Sequence, residues 1–348
     1  MISYLRSIHP QSLRVIALAI VLALVILFFS SQIENYFSPR MFNRIATSAA
    51  VILPIAIGQA LVVMTRNVDL SVGSMVGIVA YLIGDFLGSH QGLDPASTLV
   101  LALLLGAACG AINGALVAYG NVPSIITTLG TLALFRTFLV EYSDARTITT
   151  DSLPTWVVDL PQAVLFSIGG FEVRAMVVLS IIAAIIFGLA LSRLRIARKL
   201  YAVGSNPDAA VMSGINSSRV VFFAFVLSGA LAGLSGLIFL AKFGNITVVA
   251  GLGFELKSIA AVVVGGVNIF GGSGTIIGVV LGTLLVDTLD NSLTRWAVVS
   301  EFWRDALLGM LIMTAVAADT FMARSFTRLR RQKSLAPEST LAKMPEKK

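Results

Sequence analysis

The sequence predicts an all-α membrane protein with about ten transmembrane helices, and three observations carry that expectation. First, 57% of the 348 residues are hydrophobic and only 12% charged, with a mean hydropathy of +0.91, whereas about a quarter of a soluble domain is charged. Second, apolar runs repeatedly approach the roughly 20 residues needed to cross about 30 Å of hydrocarbon. Third, many of the basic residues sit at the ends of those runs. The formal charge of +7 therefore reports membrane orientation, and nucleic acid is not an expected partner.

The runs lie near residues 14–31, 45–64, 68–88, 98–119, 122–142, 173–191, 220–241, 256–271, 274–288 and 303–323. The first is about as long as a span and no small-residue cleavage motif follows it, so it reads as a retained helix rather than a signal peptide. The eighth and ninth flank a glycine cluster from Gly265 to Gly274, which also fits a broken or re-entrant helix.

Placing both termini in the cytoplasm puts sixteen Lys and Arg residues on that side: Arg6, Arg14, Arg66, Arg193, Arg195, Arg198, Lys199, Arg219 and eight in the tail. Only Arg40, Arg44, Arg146, Lys242 and Arg295 fall opposite, and this bias favours ten spans in that orientation. Gly106, Gly110 and Gly114 in the fourth run, and Gly274, Gly278 and Gly282 in the ninth, form smooth strips for close helix contact. Their five-span offset suggests an inverted repeat of the second to fifth and seventh to tenth helices. Residues 1–323 form the expected membrane domain, and the basic, proline-containing segment 324–348 a disordered cytoplasmic tail.

One polar insert interrupts the apolar pattern: GSNPDAAVMSGIN, residues 204–216, within a basic loop at 192–219. Asn206 fits a helix N-cap, Pro207 the first helical position, Asp208 a first-turn acid and Gly214 a stop. A helix of about two turns on the cytoplasmic surface follows.

Polar groups inside spans are costly and each invites a functional reading beside a bland one. Arg66 and Asp69, three apart at the start of the third run, would share a helix face and pair, either structurally or as a gate. Asn113, Thr127, Thr128, Gln59 and Asn268 fit interhelical hydrogen-bond glue or the lining of a polar path. Phe135 adds an aromatic surface for such a path. Pro54 frees a backbone carbonyl in the second run. Cys109 is alone, so no intrachain disulfide forms, and His9 and His90 lack companion ligands for a metal.

No GxxxxGK[ST] nucleotide loop, catalytic triad or zinc spacing occurs, so neither an enzyme nor a bound cofactor is expected. Several deep acids or lysines of the kind used in a proton relay are also not evident. A pathway without an energy source of its own needs a partner, and the surface helix is the natural contact.

Four phrases in order, VMTRNVDLSVGS, NVPSIITTLGTLALFR, AVGSNPDAAVMSGI and GFELKSIAAVVVGGVNIFGGSGTIIGVVLGTLL, resemble the permease subunits of bacterial ABC importers of the ribose, xylose and autoinducer-2 class. The likeness runs from about Phe37 to Asp319. The last phrase, with FWRD and RRQK near the end, looks closest to the C-type autoinducer-2 import permeases, although rhamnose and other sugar permeases share much of it. The resemblance implies a multi-pass inner-membrane protein that passes a small neutral sugar-like solute. It also implies a second permease chain, cytoplasmic ABC ATPase subunits and a periplasmic binding protein. By the same resemblance Gly204, Asn206, Pro207, Asp208, Ala209, Ala210, Ser213, Gly214 and Ile215 match the loop that docks on the ATPase. The rivals are an ion-coupled secondary transporter and a scaffold with no path.

Overall fold

The computed structural model describes residues 10–296 and isolated positions between 300 and 314. Five long helices come first: α1 (Pro10–Gln32), α2 (Pro39–Met64), α3 (Val72–Ser89), α4 (Pro95–Ala118) and α5 (Ser124–Ser143). A short helix α6 (Thr155–Asp159) precedes an antiparallel hairpin of β1 (Val164–Ile168) and β2 (Phe171–Arg174). Then follow α7 (Ala175–Arg193), α8 (Arg195–Ser205), α9 (Pro207–Met212), α10 (Ser217–Phe243), α11 (Phe254–Val264) and α12 (Ile276–Arg295).

Among the described residues eight helices, α1 to α5, α7, α10 and α12, are long and apolar enough to cross a membrane. The run expected at 256–271 is corrected. Helix α11 has 11 residues, about 17 Å at 1.5 Å per residue, and cannot cross alone. The chain after it turns through Gly266, Gly271 and Gly272, all at φ near +80°, backbone that glycine adopts without strain. The run at 303–323 and the tail at 324–348 lie, apart from isolated positions, outside the described residues.

Helix α2 is the hub. Its apolar window is 89% buried, against 11% for α1, 22% for α7 and 28% for α5, so the latter helices turn Leu24, Ile185, Ile186 and Leu134 outward as an apolar outer surface. A buried span needs internal partners for its backbone wherever the helical ladder fails. Pro54 has no N–H, so the Ala50 carbonyl one turn earlier loses its donor. Ser180 of α7 donates its Oγ–H to that carbonyl at 2.6 Å, and Ser235 of α10 does the same for Val51.

The glycine strip on α4 is used as expected for close packing. A Cβ on Gly106 would lie 2.1 Å from the Gly229 carbonyl of α10, and one on Gly229 would lie 2.2 Å from that of Gly106. Helices approach this closely only where side chains are absent, which brings dispersion contacts to the backbones themselves. On α12, Gly278 and Gly282 pack instead on Gly265 and Ala261 at the end of α11, so the two strips meet different kinds of partner. The hairpin is an addition that apolar runs do not reveal. Its two-residue turn is Gly169–Gly170, both at positive φ, the backbone required by a type I′ connection. It lies at the Pro39 end of α2, where Asn43 Oδ1 accepts from the Glu172 N–H.

Candidate functional site

Between α2 and α3 the chain leaves the helix for residues 65–71, and buried groups from three neighbouring helices close around the break. Gln59, with its amide oriented to suit the groups it faces, donates to the Asp69 carbonyl at 3.1 Å and accepts from the Asp69 N–H at 3.3 Å. It thus stands in for the missing ladder. Val68 is held similarly: its N–H donates to Ser124 Oγ, and its carbonyl accepts from Thr128 Oγ1. Asp69 Oδ1 accepts from the N–H and Oγ–H of Ser71 and from Asn113 Nδ2, while Asn113 Nδ2 also donates to Ser71 Oγ at 2.8 Å. Six buried side-chain oxygens among the described residues lack a hydrogen-bond partner, and Asp69 Oδ2, Asn113 Oδ1 and Thr127 Oγ1 are three of them. They are oxygen acceptors facing no protein donor.

Three of the six path residues expected from sequence, Gln59, Asn113 and Thr128, therefore close on one break, while Thr127 is buried on α5 next to Thr128 in sequence. Phe135 instead belongs to an apolar cluster with Ile55, Met75 and Val79. Asn268 turns a second break, residues 265–275 between α11 and α12, its Oδ1 accepting from the Phe270 N–H at 2.9 Å. The expected Arg66–Asp69 pair does not form. Residues 65–71 are not helical, so a three-residue spacing does not put the two on one face, and Arg66 sits at φ +67° with its side chain pointing to α8.

A second irregular stretch, residues 244–253, runs along α3. Ile246 pairs with Ile148, which packs on Gly84, while Ala250 lies on Gly77 and Gly251 on Gly73. Arg136 of α5 donates from Nη1 to the Val248 and Ala250 carbonyls, both at 2.7 Å. A lone arginine in the middle of an apolar run was the available signal for this role, and spacing rules alone pass over it.

Deep charges are also more numerous than the sequence suggests. Asp69 and Asp287 are buried; Ser48 Oγ donates to Asp287 Oδ1 at 3.0 Å, and Lys257 pairs with Asp290 at 2.8 Å. Lys257 and Asp290 stand on different helices, α11 and α12, so only packing pairs them.

The insert at 204–216 folds as its caps predict. Asn206 Oδ1 accepts from the N–H groups of Asp208 and Ala209, and α9 ends before Gly214 at φ +77°. Ala210 is buried, whereas Val211 and Met212, which the cap pattern does not single out, stand exposed, Met212 by 91%. The preceding α8 is pinned to both breaks. Arg66 Nε and Nη2 donate to the carbonyls of Gly204 and Ser205, the Gly272 N–H donates to the Met64 carbonyl, and Tyr201 donates its O–H to the Gly274 carbonyl. Burial raises the Tyr201 phenol above its usual range, so the donor stays protonated at physiological pH.

The branched-chain amino acid transport system permease component family matches residues 41–316. The chain belongs to this family. It is similar to the autoinducer 2 import system permease protein LsrC of Yersinia enterocolitica, at 35% identity over 90% of this chain and 85% of that protein. The protein of that name from Yersinia pseudotuberculosis is 34% identical over 90% of this chain and 87% of its own length. No solved structure matches. The permease is thus a non-enzymatic, multi-pass inner-membrane component of an ABC importer, whose family implies ATPase and substrate-binding partners.

Proposed function

We propose that the permease carries autoinducer-2, or a small neutral sugar of similar size such as ribose or rhamnose, and that a separate ATPase drives it by docking on α9 and its flanks. Similarity to autoinducer 2 import permeases along 90% of the chain carries the substrate reading. Residues 204–215 are the coupling segment in this reading: the capped, six-residue α9 presents Asp208, Val211 and Met212 outward as the docking surface. A hydrogen-bonded helix moves as a unit when pushed.

The path runs by the α2–α3 break. Asp69, Asn113 and Thr127 hold acceptor oxygens without protein donors, which suits the hydroxyls of a neutral polyol once the helices part. Gln59 and Thr128 keep the broken backbone in place beside them, and Asn268 shapes the facing break. A second permease chain completes the transporter, with residues 1–323 as the membrane domain and 324–348 as its tail.

Uptake of labelled autoinducer-2, ribose and rhamnose in a strain lacking this gene tests the substrate. Loss of one, restored by the intact gene, is the expected result. Unchanged uptake of all three overturns the substrate range.

A further inference from the structure

Arg66 occupies a position with no other evident use. It follows the last turn of α2 in left-handed backbone, φ +67°, a conformation that strains a non-glycine residue, and it forms no ion pair with Asp69. Its guanidinium instead spans to α8, where Nε and Nη2 donate to the carbonyls of Gly204 and Ser205. These are the last two residues of α8, whose carbonyls have no partner in their own helix. The next residue is Asn206, the cap of α9. The forked guanidinium therefore grips the backbone immediately before α9 begins.

The other end of the segment is held as firmly. Two residues after Arg66, Val68 is bonded on both sides by Ser124 and Thr128 of α5. The backbone of Asp69 is bonded on both sides by Gln59, and its carboxylate joins Ser71 to Asn113. Residues 66–71 thus form a short strut with one end on the close of α8, just before the cap of α9, and the other in the polar centre. A displacement of α9 that carries the end of α8 with it loads two charge-assisted hydrogen bonds at Arg66, stronger than neutral ones.

We infer that Arg66 is a positioning residue that transmits movement of α9 into the α2–α3 break, so that solute passage keeps step with ATP hydrolysis. This rests on the reading of α9 as the ATPase contact. Lysine cannot replace the fork, because an ammonium is a single point of donation.

The test uses the full importer, reconstituted in proteoliposomes with its ATPase and binding protein, and measures labelled autoinducer-2 imported per ATP hydrolysed. Arg66→Gly removes the fork while suiting the positive φ, and Arg66→Lys keeps the charge. Both should bind the ATPase within twofold of the parent, yet import at least tenfold less solute per ATP. An unchanged ratio in Arg66→Gly overturns the proposal. So does a loss of ATPase binding in both variants, which would make Arg66 a mere brace for α9. Should Arg66→Gly not fold, Arg66→Lys decides by the same ratio. Val211→Asp with Met212→Asp tests the underlying reading separately: persistent ATPase binding in that variant removes α9 as the docking site whatever the Arg66 ratio shows.

Discussion

At the residue scale, the permease stabilises interrupted backbone with single side chains. The Ala50 carbonyl freed by Pro54 takes the Ser180 hydroxyl, so Ser180→Ala leaves a buried acceptor unpaired and should cost about 1–3 kcal/mol. In a Pro54→Ala background the regained N–H at residue 54 serves that carbonyl, and the cost of Ser180→Ala should shrink. Unfolding of the four proteins of this cycle in detergent measures the coupling, expected at about 0.5–3 kcal/mol. Gln59 serves both the N–H and the carbonyl of Asp69. Gln59→Leu should therefore lower the melting temperature and abolish uptake, because two buried backbone groups lose partners at about 1–3 kcal/mol each. Here the sequence was partly legible: Pro54 and Gln59 stand out as polar or breaking residues in an apolar run. The pairings were not legible: Ser180 lies far away in sequence, and Asp69, although visible as an acid in an apolar run, meets Gln59 through backbone whose path only folding sets.

At the element scale, the contact of α4 with α10 depends on the absence of side chains. A methyl at Gly229 would enter the Gly106 carbonyl at 2.2 Å. Gly229→Ala should therefore separate the helices and cost about 1–3 kcal/mol, read as reduced yield of folded protein and a lower melting temperature. Gly130→Ala, with nothing within 4 Å of its added methyl, is the matched control and should be silent. The four-residue glycine spacing on α4 was visible in the sequence because helical periodicity converts spacing into a face. The length of α11 was not, because hydropathy registers an apolar stretch whether its backbone is helical or turned. The irregular stretch before α11 is stabilised by Arg136, and Arg136→Met should leave the Val248 and Ala250 carbonyls without their donor. Its expected effect is a protein that inserts but is cut by protease in residues 244–253, where the parent resists.

At the scale of the whole molecule, α2 is enclosed by the other helices, and the two breaks meet against it through the Gly272–Met64 hydrogen bond at 3.0 Å. An importer of this family draws on ATP through a partner, so uptake in cells should vanish when the ATPase gene is removed and persist under an uncoupler while ATP is maintained. The buried Asp287 and the Lys257–Asp290 pair make that experiment informative, since ion-coupled carriers also place charges at membrane depth.

Sequence alone determined the membrane class, the positions of the long helices, the capped helix at 207–212 and the family likeness, since apolar run length, caps and ordered motifs are local properties of the chain. Tertiary structure decided the rest. It separated Arg66 from Asp69, shortened α11, gathered Gln59, Asn113 and Thr128 around one break, and joined that break to the end of α8 through Arg66. The reason is physical. In a low-dielectric interior each interrupted backbone group must find a partner, and which side chain answers depends on helices that meet only after the chain has folded.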